Sequence, residues 1–320
     1  PTATQVWVTA DSVSMLYEAL SAGAVVGVME LPLKRPKRSN KLARGLLKLH
    51  ENGQIHLSHV SPRMPIKAAT HRTMAEGRRC ADIVLERPPL NVISMPQREQ
   101  LRAVFEALDA HDGVRVIVLR AVGEHFSSGG NIRGFLEASP EHVSKLADDV
   151  AAPERCSKPV IAVNHGYCFG VGFELSLACD FRIVSEDALV GLPEQRIGMI
   201  PGSGGSIRLL KMIGIARTKN MVMRSLRASG KDIHTWGIAC ECVVDEALEE
   251  ATDALVDELR FFSPLAQRTI KGVLNAAEDA PLHVGIEMEG QAYGRIRSSE
   301  DFAEGVASFK EKRKAVFKGR

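Results

Sequence analysis

Long apolar runs are missing from these 320 residues. No stretch approaches the roughly 18 consecutive apolar residues that a membrane-crossing helix needs. The opening residues also lack the apolar core of a secretory signal, so no membrane partner is expected. Net charge is scarce as well: 41 Lys and Arg face 39 Asp and Glu, leaving +2. No chain-wide field therefore attracts nucleic acid or an anionic surface. The six cysteines are badly spaced for a metal, because Cys240 and Cys242 have one residue between them, tighter than a structural zinc pair. No metal site is expected. Cys168 and Cys179 lie in apolar segments and read as buried thiols rather than nucleophiles, which fits a reduced, cytoplasmic setting.

What is present is an ordinary globular balance, 45% hydrophobic and 25% charged. The length suits one large α/β domain with an appendage, or two modest domains. The first 72 residues stand apart, with ten Lys and Arg (among them Lys34, Arg35, Lys37, Arg38 and Lys48) against Asp11, Glu18, Glu30 and Glu51. Inside them, Gln5 to Thr9 alternates like a strand and Asp11-Ser12 precedes an apolar helical pattern ending at Gly23. Val25 to Met29 reads as a second strand. Residues 1–60 are thus expected to form a strand-helix-strand fragment, and 61–80, with two prolines and little periodicity, a linker. The basic run from Lys34 to Lys48 is broken at Pro36 and carries no aromatic residues to stack bases, so a solvated face is expected over an RNA site.

From Ala81 the pattern becomes regular. Ile83 to Leu85, Val114 to Arg120, Val160 to Val163 and Phe181 to Val184 read as strands. Leu101 to Leu108 reads as a helix, and another is expected from near Gly170 through Leu177. Beyond Gly202 the chain reads mainly helical: 207–213, 218–225, 247–261, 264–274, 284–293 and 301–314. Strand-helix repeats followed by a helical tail predict α/β layering, with strand order left open.

Three runs combine small and polar residues just after a predicted strand: HFSSGGNI (125–132), GYCFGVGFELSLACD (166–180) and LPEQRIGMIPGSGG (192–205). A helix starting near Gly170 leaves its first N–H groups without intrahelical partners. Those groups suit either a phosphate or a carbonyl oxygen that becomes negative. The dinucleotide fingerprint, the P-loop and the nucleophile elbow each fail on a missing residue: Gly170-Val171-Gly172 lacks the third glycine, no Lys follows Gly202-Ser203-Gly204-Gly205, and Ser203 is not within G-x-S-x-G. Glu174 lies one helical turn beyond Gly170, on about the same face as the helix entrance. Phe173 and Leu175 flank it, and apolar surroundings favour proton exchange near neutrality. Capping, or pairing with Arg182, is an equal alternative for it on these grounds. Glu194 follows Pro193 in a predicted loop.

The three runs, in this order and spacing, resemble the crotonase (enoyl-CoA hydratase/isomerase) family over about Ala81 to Arg320, including the tail FKEKRKAVFKGR. The resemblance implies a ββα spiral core over 81–262 and a helical trimerisation region over 263–320, with a homotrimer or hexamer as the assembly. It implies an acyl-CoA substrate and no cofactor besides. Carried over by motif, the N–H groups of Gly130 and Val171 would form an oxyanion hole for the thioester carbonyl. Glu174 and Glu194 match the two glutamates that hold and deprotonate water and protonate the α-carbon. Gly129, Asn131, Ile132 and Lys312 would meet the coenzyme A portion. Two departures stand out: Val171 replaces a glycine, and Asn131 an acid. Both glutamates present favour water chemistry, hence an enoyl-CoA hydratase-like lyase. The LNVISMPQ, EHFSSGGN and CFGVGFE runs also resemble members assigned to acyl-CoA hydrolysis in aromatic-acid breakdown, an oxoglutaroyl-CoA hydrolase among them. A crotonase-like RNA-binding protein is the reading from another class. Separately, VTADSVSMLYEA, within residues 1–60, is similar to part of a GT-B-like family related to mitochondrial fission proteins.

Overall fold

The computed structural model describes residues 66–69 and 79–320. The expected N-terminal fragment and the basic run from Lys34 to Lys48 lie outside the described residues.

A six-stranded sheet organises the rest, in the order β1 (Ile66–Ala69), β2 (Cys80–Leu85), β3 (Val116–Ala121), β4 (Val160–Asn164), β6 (Phe181–Ser185) and β9 (Glu241–Val243). β1 runs antiparallel to β2, and every later pairing is parallel. Four residues of the segment read as a linker thus form an edge strand. Four residues directly after Pro65 are too few for alternation to show.

Parallel strands need crossovers, and the crossovers bury both faces of the sheet. That explains the unbroken apolar runs. In β3, Ile117 and Leu119 join the larger core with Ile83, Leu85, Phe105, Phe126 and Phe173. Their neighbours Val116 and Val118 face the other way, against Leu248, Val256 and Leu259 of α9 (Leu248–Phe261). α1 (Met95–Asp109) covers the larger core through Leu101, Phe105 and Leu108, and starts on a capping box formed by Ser94 and Gln97.

A second sheet, β5 (Tyr167–Phe169), β7 (Leu189–Gly191) and β8 (Ala228–Ser229), was not read from the sequence. Strands of two or three residues carry no periodicity. Between β3 and β4 four short helices were also missed: α2 (Ile132–Glu137), α3 (Pro140–Ser144), α4 (Leu146–Val150) and α5 (Ala152–Arg155). α6 (Val171–Leu177) matches the expected helix and is buried throughout. The helices expected at 207–213 and 218–225 are one element, α7 (Gly205–Met223), kinked at Gly214. After it come α8 (Gly230–Thr235), α9, α10 (Pro264–Ala277), α11 (Leu282–Ile296) and α12 (Glu300–Glu311).

α10 is tied to the core by Lys271, whose Nζ donates to Asp180 Oδ2 at 2.7 Å and to the carbonyls of Pro153 and Lys158, each at 2.9 Å. Cys168 and Cys179 are buried free thiols, and burial pushes the Cys179 thiol up to about 12. Among the described residues no helix is long and apolar enough to cross a membrane.

Candidate active site

The site grows from a close approach of two glycine segments. Residues 127–131 run between two neighbours. On one side, Ser127 exchanges backbone hydrogen bonds with Tyr167 and Phe169 (2.8 and 2.9 Å). On the other, Ile93 donates to Gly129 O at 2.9 Å and accepts from Asn131 N–H at 3.1 Å. That leaves Gly130, the residue paired with Ile93, with its N–H turned away from Ile93. Among the described residues it donates to no acceptor.

Gly170 ends β5 and begins α6 at φ 52°, a conformation that L side chains rarely adopt. It also lies against Gly129: a Cβ on Gly170 would stand 3.6 Å from the Gly129 Cα and 3.0 Å from Glu194 Oε1. The backbone conformation is what favours glycine there, since the Gly129 approach is an ordinary contact and the Glu194 carboxylate would have to shift by only a few tenths of an ångström. The next N–H, of Val171, is the first of α6 and is likewise uncommitted among the described residues. Its valine side chain is buried in the core.

Glu174, one turn along α6 from Gly170, is buried, with 2% of its surface exposed. Its Oε1 accepts from the backbone N–H of Ser203 at 2.8 Å and of Gly205 at 3.1 Å. It pairs with no arginine among the described residues. Arg182 spends its guanidinium on the carbonyls of Ser176, Cys179, Asp180 and Ile238 instead. Of the two readings left open for Glu174, the structure removes the Arg182 pairing. Gly205 must also be small, since a Cβ there would meet the Glu174 Cγ at 2.7 Å.

Glu194 opens a 3-10 turn (Glu194–Ile197) after Pro193, where a loop was expected. Its carboxylate comes to the entrance of α6, near enough to Glu174 for the two charges to act on each other. Oε2 of Glu194 is buried with no hydrogen-bond partner among the described residues. Burial, reinforced by the Glu174 charge and opposed by its own backbone N–H and by Arg98, pushes its carboxyl up to about 7. A group with that pKa exchanges protons readily at neutral pH.

Arg98 was missed. It sits on α1, buried to 3% exposure, and its Nη1 donates to Ser203 Oγ at 3.1 Å. The sequence signal for it, one arginine in an amphipathic helix, is the same as for any surface cation. Of the remaining expected residues, Gly129 is buried and Asn131 begins α2 without a side-chain cap. Ile132 is half exposed. Lys312 is the left-handed C-cap of α12 rather than a helical residue, and is exposed. Among the described residues, no contact joins it to either glutamate.

Parallel β-α layering with two carboxylates beside a pair of main-chain N–H groups uncommitted among the described residues is an arrangement that can stabilise a developing oxyanion. The comparisons define it further. A sequence model described as enoyl-CoA hydratase/isomerase matches residues 76–320, and the chain belongs to that family. A second, described as Mitochondrial fission ELM1, matches residues 1–88. A probable enoyl-CoA hydratase of Bacillus subtilis is 31% identical over 253 residues, spanning 77% of this chain and 98% of that protein. A carnitinyl-CoA dehydratase of Salmonella typhi is 34% identical over 250 residues, spanning 75% and 95%. Among solved structures, an enoyl-CoA hydratase subunit from Geobacillus kaustophilus superposes with a TM-score of 0.72 at 36% identity, over 77% of this chain and 96% of that one.

Proposed function

We propose that this enzyme of acyl-CoA thioesters adds water across the double bond of an enoyl-CoA by stabilising a thioester enolate. The observation that carries the reading is the pairing of Glu194, poised near neutrality, with Glu174, fixed by two backbone donors, beside the uncommitted N–H groups of Gly130 and Val171.

The chemistry follows from that placement. The thioester oxygen gains negative charge only as the enolate forms, so donors aimed at it lower the barrier more than they tighten substrate binding. Glu174 accepts a hydrogen bond from the attacking water on its remaining lone pairs. Glu194 takes a proton from that water as the new C–O bond forms at the β-carbon. A proton returned to the α-carbon completes the addition of one H and one OH. Two relatives, a probable enoyl-CoA hydratase and a carnitinyl-CoA dehydratase, are named for additions or eliminations of water.

Glu194→Gln and Glu174→Gln test the assignment on a panel of enoyl-CoA esters. Loss of general acid–base catalysis is expected to lower kcat by about 10²–10⁴ in each. Undiminished turnover in both variants would remove the acid/base roles. A thiol reagent reads free coenzyme A in the same assays: release without hydration would make this a thioester hydrolase on the same residues.

The C-terminal helices support a homotrimer or hexamer within this reading to the extent that Leu282, Ile286, Tyr293 and Phe309, exposed at 80%, 61%, 72% and 87%, offer an apolar face to a second copy. Light scattering at a single-chain mass would exclude both.

A further inference from the structure

A guanidinium buried next to the glycine segment is left only partly used. Of the five N–H donors of Arg98, the hydrogen bond to Ser203 Oγ takes one on Nη1. Nε is buried with no acceptor. Nη2 also donates to none of the described residues, and no carboxylate among them lies within salt-bridge distance. Glu174, Asp149 and Glu194 act on Arg98 through their charge without touching it, and Asp149 is engaged at 2.8 Å by Arg102.

Position decides what the free edge can reach. A Cβ on Gly130 would stand 3.1 Å from Arg98 Nη2 and 3.1 Å from the Phe135 ring. The guanidinium therefore lies beside the residue whose N–H faces the thioester oxygen in the proposed mechanism. Phe135 covers it at 5.2 Å from the ring centroid. This ring comes from α2, none of whose residues is buried.

Nε and Nη2 form one edge of the guanidinium and match the two oxygens of a carboxylate. A counter-ion for the two glutamates would be stabilised most by direct contact with one of them. Here both glutamates instead take backbone donors or none, and the arginine's bidentate edge is unoccupied. Buried donors without partners are costly unless a ligand completes them.

We infer that Arg98 is a specificity-determining residue that binds an anion on the acyl group itself, selecting short acyl-CoA thioesters that end in a carboxylate. The closeness of Nη2 to Gly130 keeps the chain between thioester carbonyl and carboxylate short. This inference rests on the acyl-CoA reading above and names the substrate class within it.

The test compares pairs of equal carbon number on the full-length protein: glutaconyl-CoA against trans-2-pentenoyl-CoA for hydration, and glutaryl-CoA against pentanoyl-CoA for coenzyme A release. The wild type is expected to favour the carboxylated member by at least about 50-fold in kcat/KM, mainly through KM. Arg98→Met brings that ratio to within about threefold of unity, and Arg98→Lys, which keeps the charge but loses the fork, gives an intermediate value. A purely structural or counter-ion role would lower both members together and leave the ratio alone. Should Arg98→Met fail to fold, the wild-type ratio and Arg98→Lys still decide. A wild-type ratio at or below unity, with the neutral thioesters turned over, overturns this inference and leaves the glutamate assignment standing. No turnover and no binding of any of the four thioesters overturns both.

Discussion

Lys271 and Arg98 are both buried cations, exposed to only 8% and 3%, yet their surroundings differ in kind. Lys271 brings three N–H donors to three acceptors, two carbonyls and Asp180 Oδ2, and nothing is left over. Asp180 is closed in the same way, since Oδ2 also accepts from the Val160 N–H at 2.8 Å. Around Arg98 the count does not close. The Nε of Arg98 and Oε2 of Glu194 are buried without partners, and the N–H groups of Gly130 and Val171 are uncommitted among the described residues. A closed cluster fixes one part of the chain to another. An open cluster that persists in a folded core points to a partner that arrives from outside.

The comparison breaks most readily at Lys271. Lys271→Met leaves Asp180 buried without its cation, and about 3–5 kcal/mol of stability is expected to go. Urea unfolding monitored by circular dichroism measures it. Folded variant that keeps its kcat would confirm the cluster as structural, and an unchanged unfolding midpoint would show that the pair contributes nothing.

Glu194 is expected to behave in the opposite sense. Its carboxyl is held near 7 in the folded protein, above the ordinary 4.5 it has when exposed. The native state therefore keeps its proton through a window where the unfolded chain has lost it, and stability falls as pH rises from about 4.5 to about 7. Glu194→Gln removes that dependence, so the variant is expected to be more stable than wild type at pH 8 by about 1–3 kcal/mol while losing activity. Equal midpoints at pH 5 and pH 8 in both proteins would contradict the shift. In the wild type, the rate is expected to rise with pH through about 7 as the base ionises, with the apparent value belonging to the Glu174–Glu194 pair.

A loss of stability is also expected from Gly170→Ala. Forcing a side chain into φ 52° and ψ −128°, a sparsely populated region, costs about 1–3 kcal/mol, and the new methyl would press on Glu194 Oε1. Activity should fall further than stability does. Parallel losses would show that Gly170 serves the backbone alone.

The glycine runs and the helix that carries Glu174 were legible in the sequence because each is local, whereas both glutamates were singled out as candidate acids by the resemblance to the crotonase family. A turn needing φ > 0, a helix entrance and a carboxylate one turn later all fall within a dozen residues. The long strands and the C-terminal helices were legible for the same reason, through periodicity. Arg98 was not, because its meaning depends on Ser203, 105 residues away, and on what fails to reach its Nε. Nor was Lys271, whose acceptors come from three other segments.

Hydrophobic period and turn chemistry in the chain by itself determined the α/β layering, and the resemblance of its glycine runs to the crotonase family singled out the two acids as candidates. Folding alone decided which carboxylate is fixed and which is poised. That choice lies in burial and in whose N–H groups arrive: Ser203 and Gly205 reach Glu174, and none reaches Oε2 of Glu194. Desolvation and hydrogen-bond supply are properties of a three-dimensional neighbourhood, and no residue carries them along the sequence.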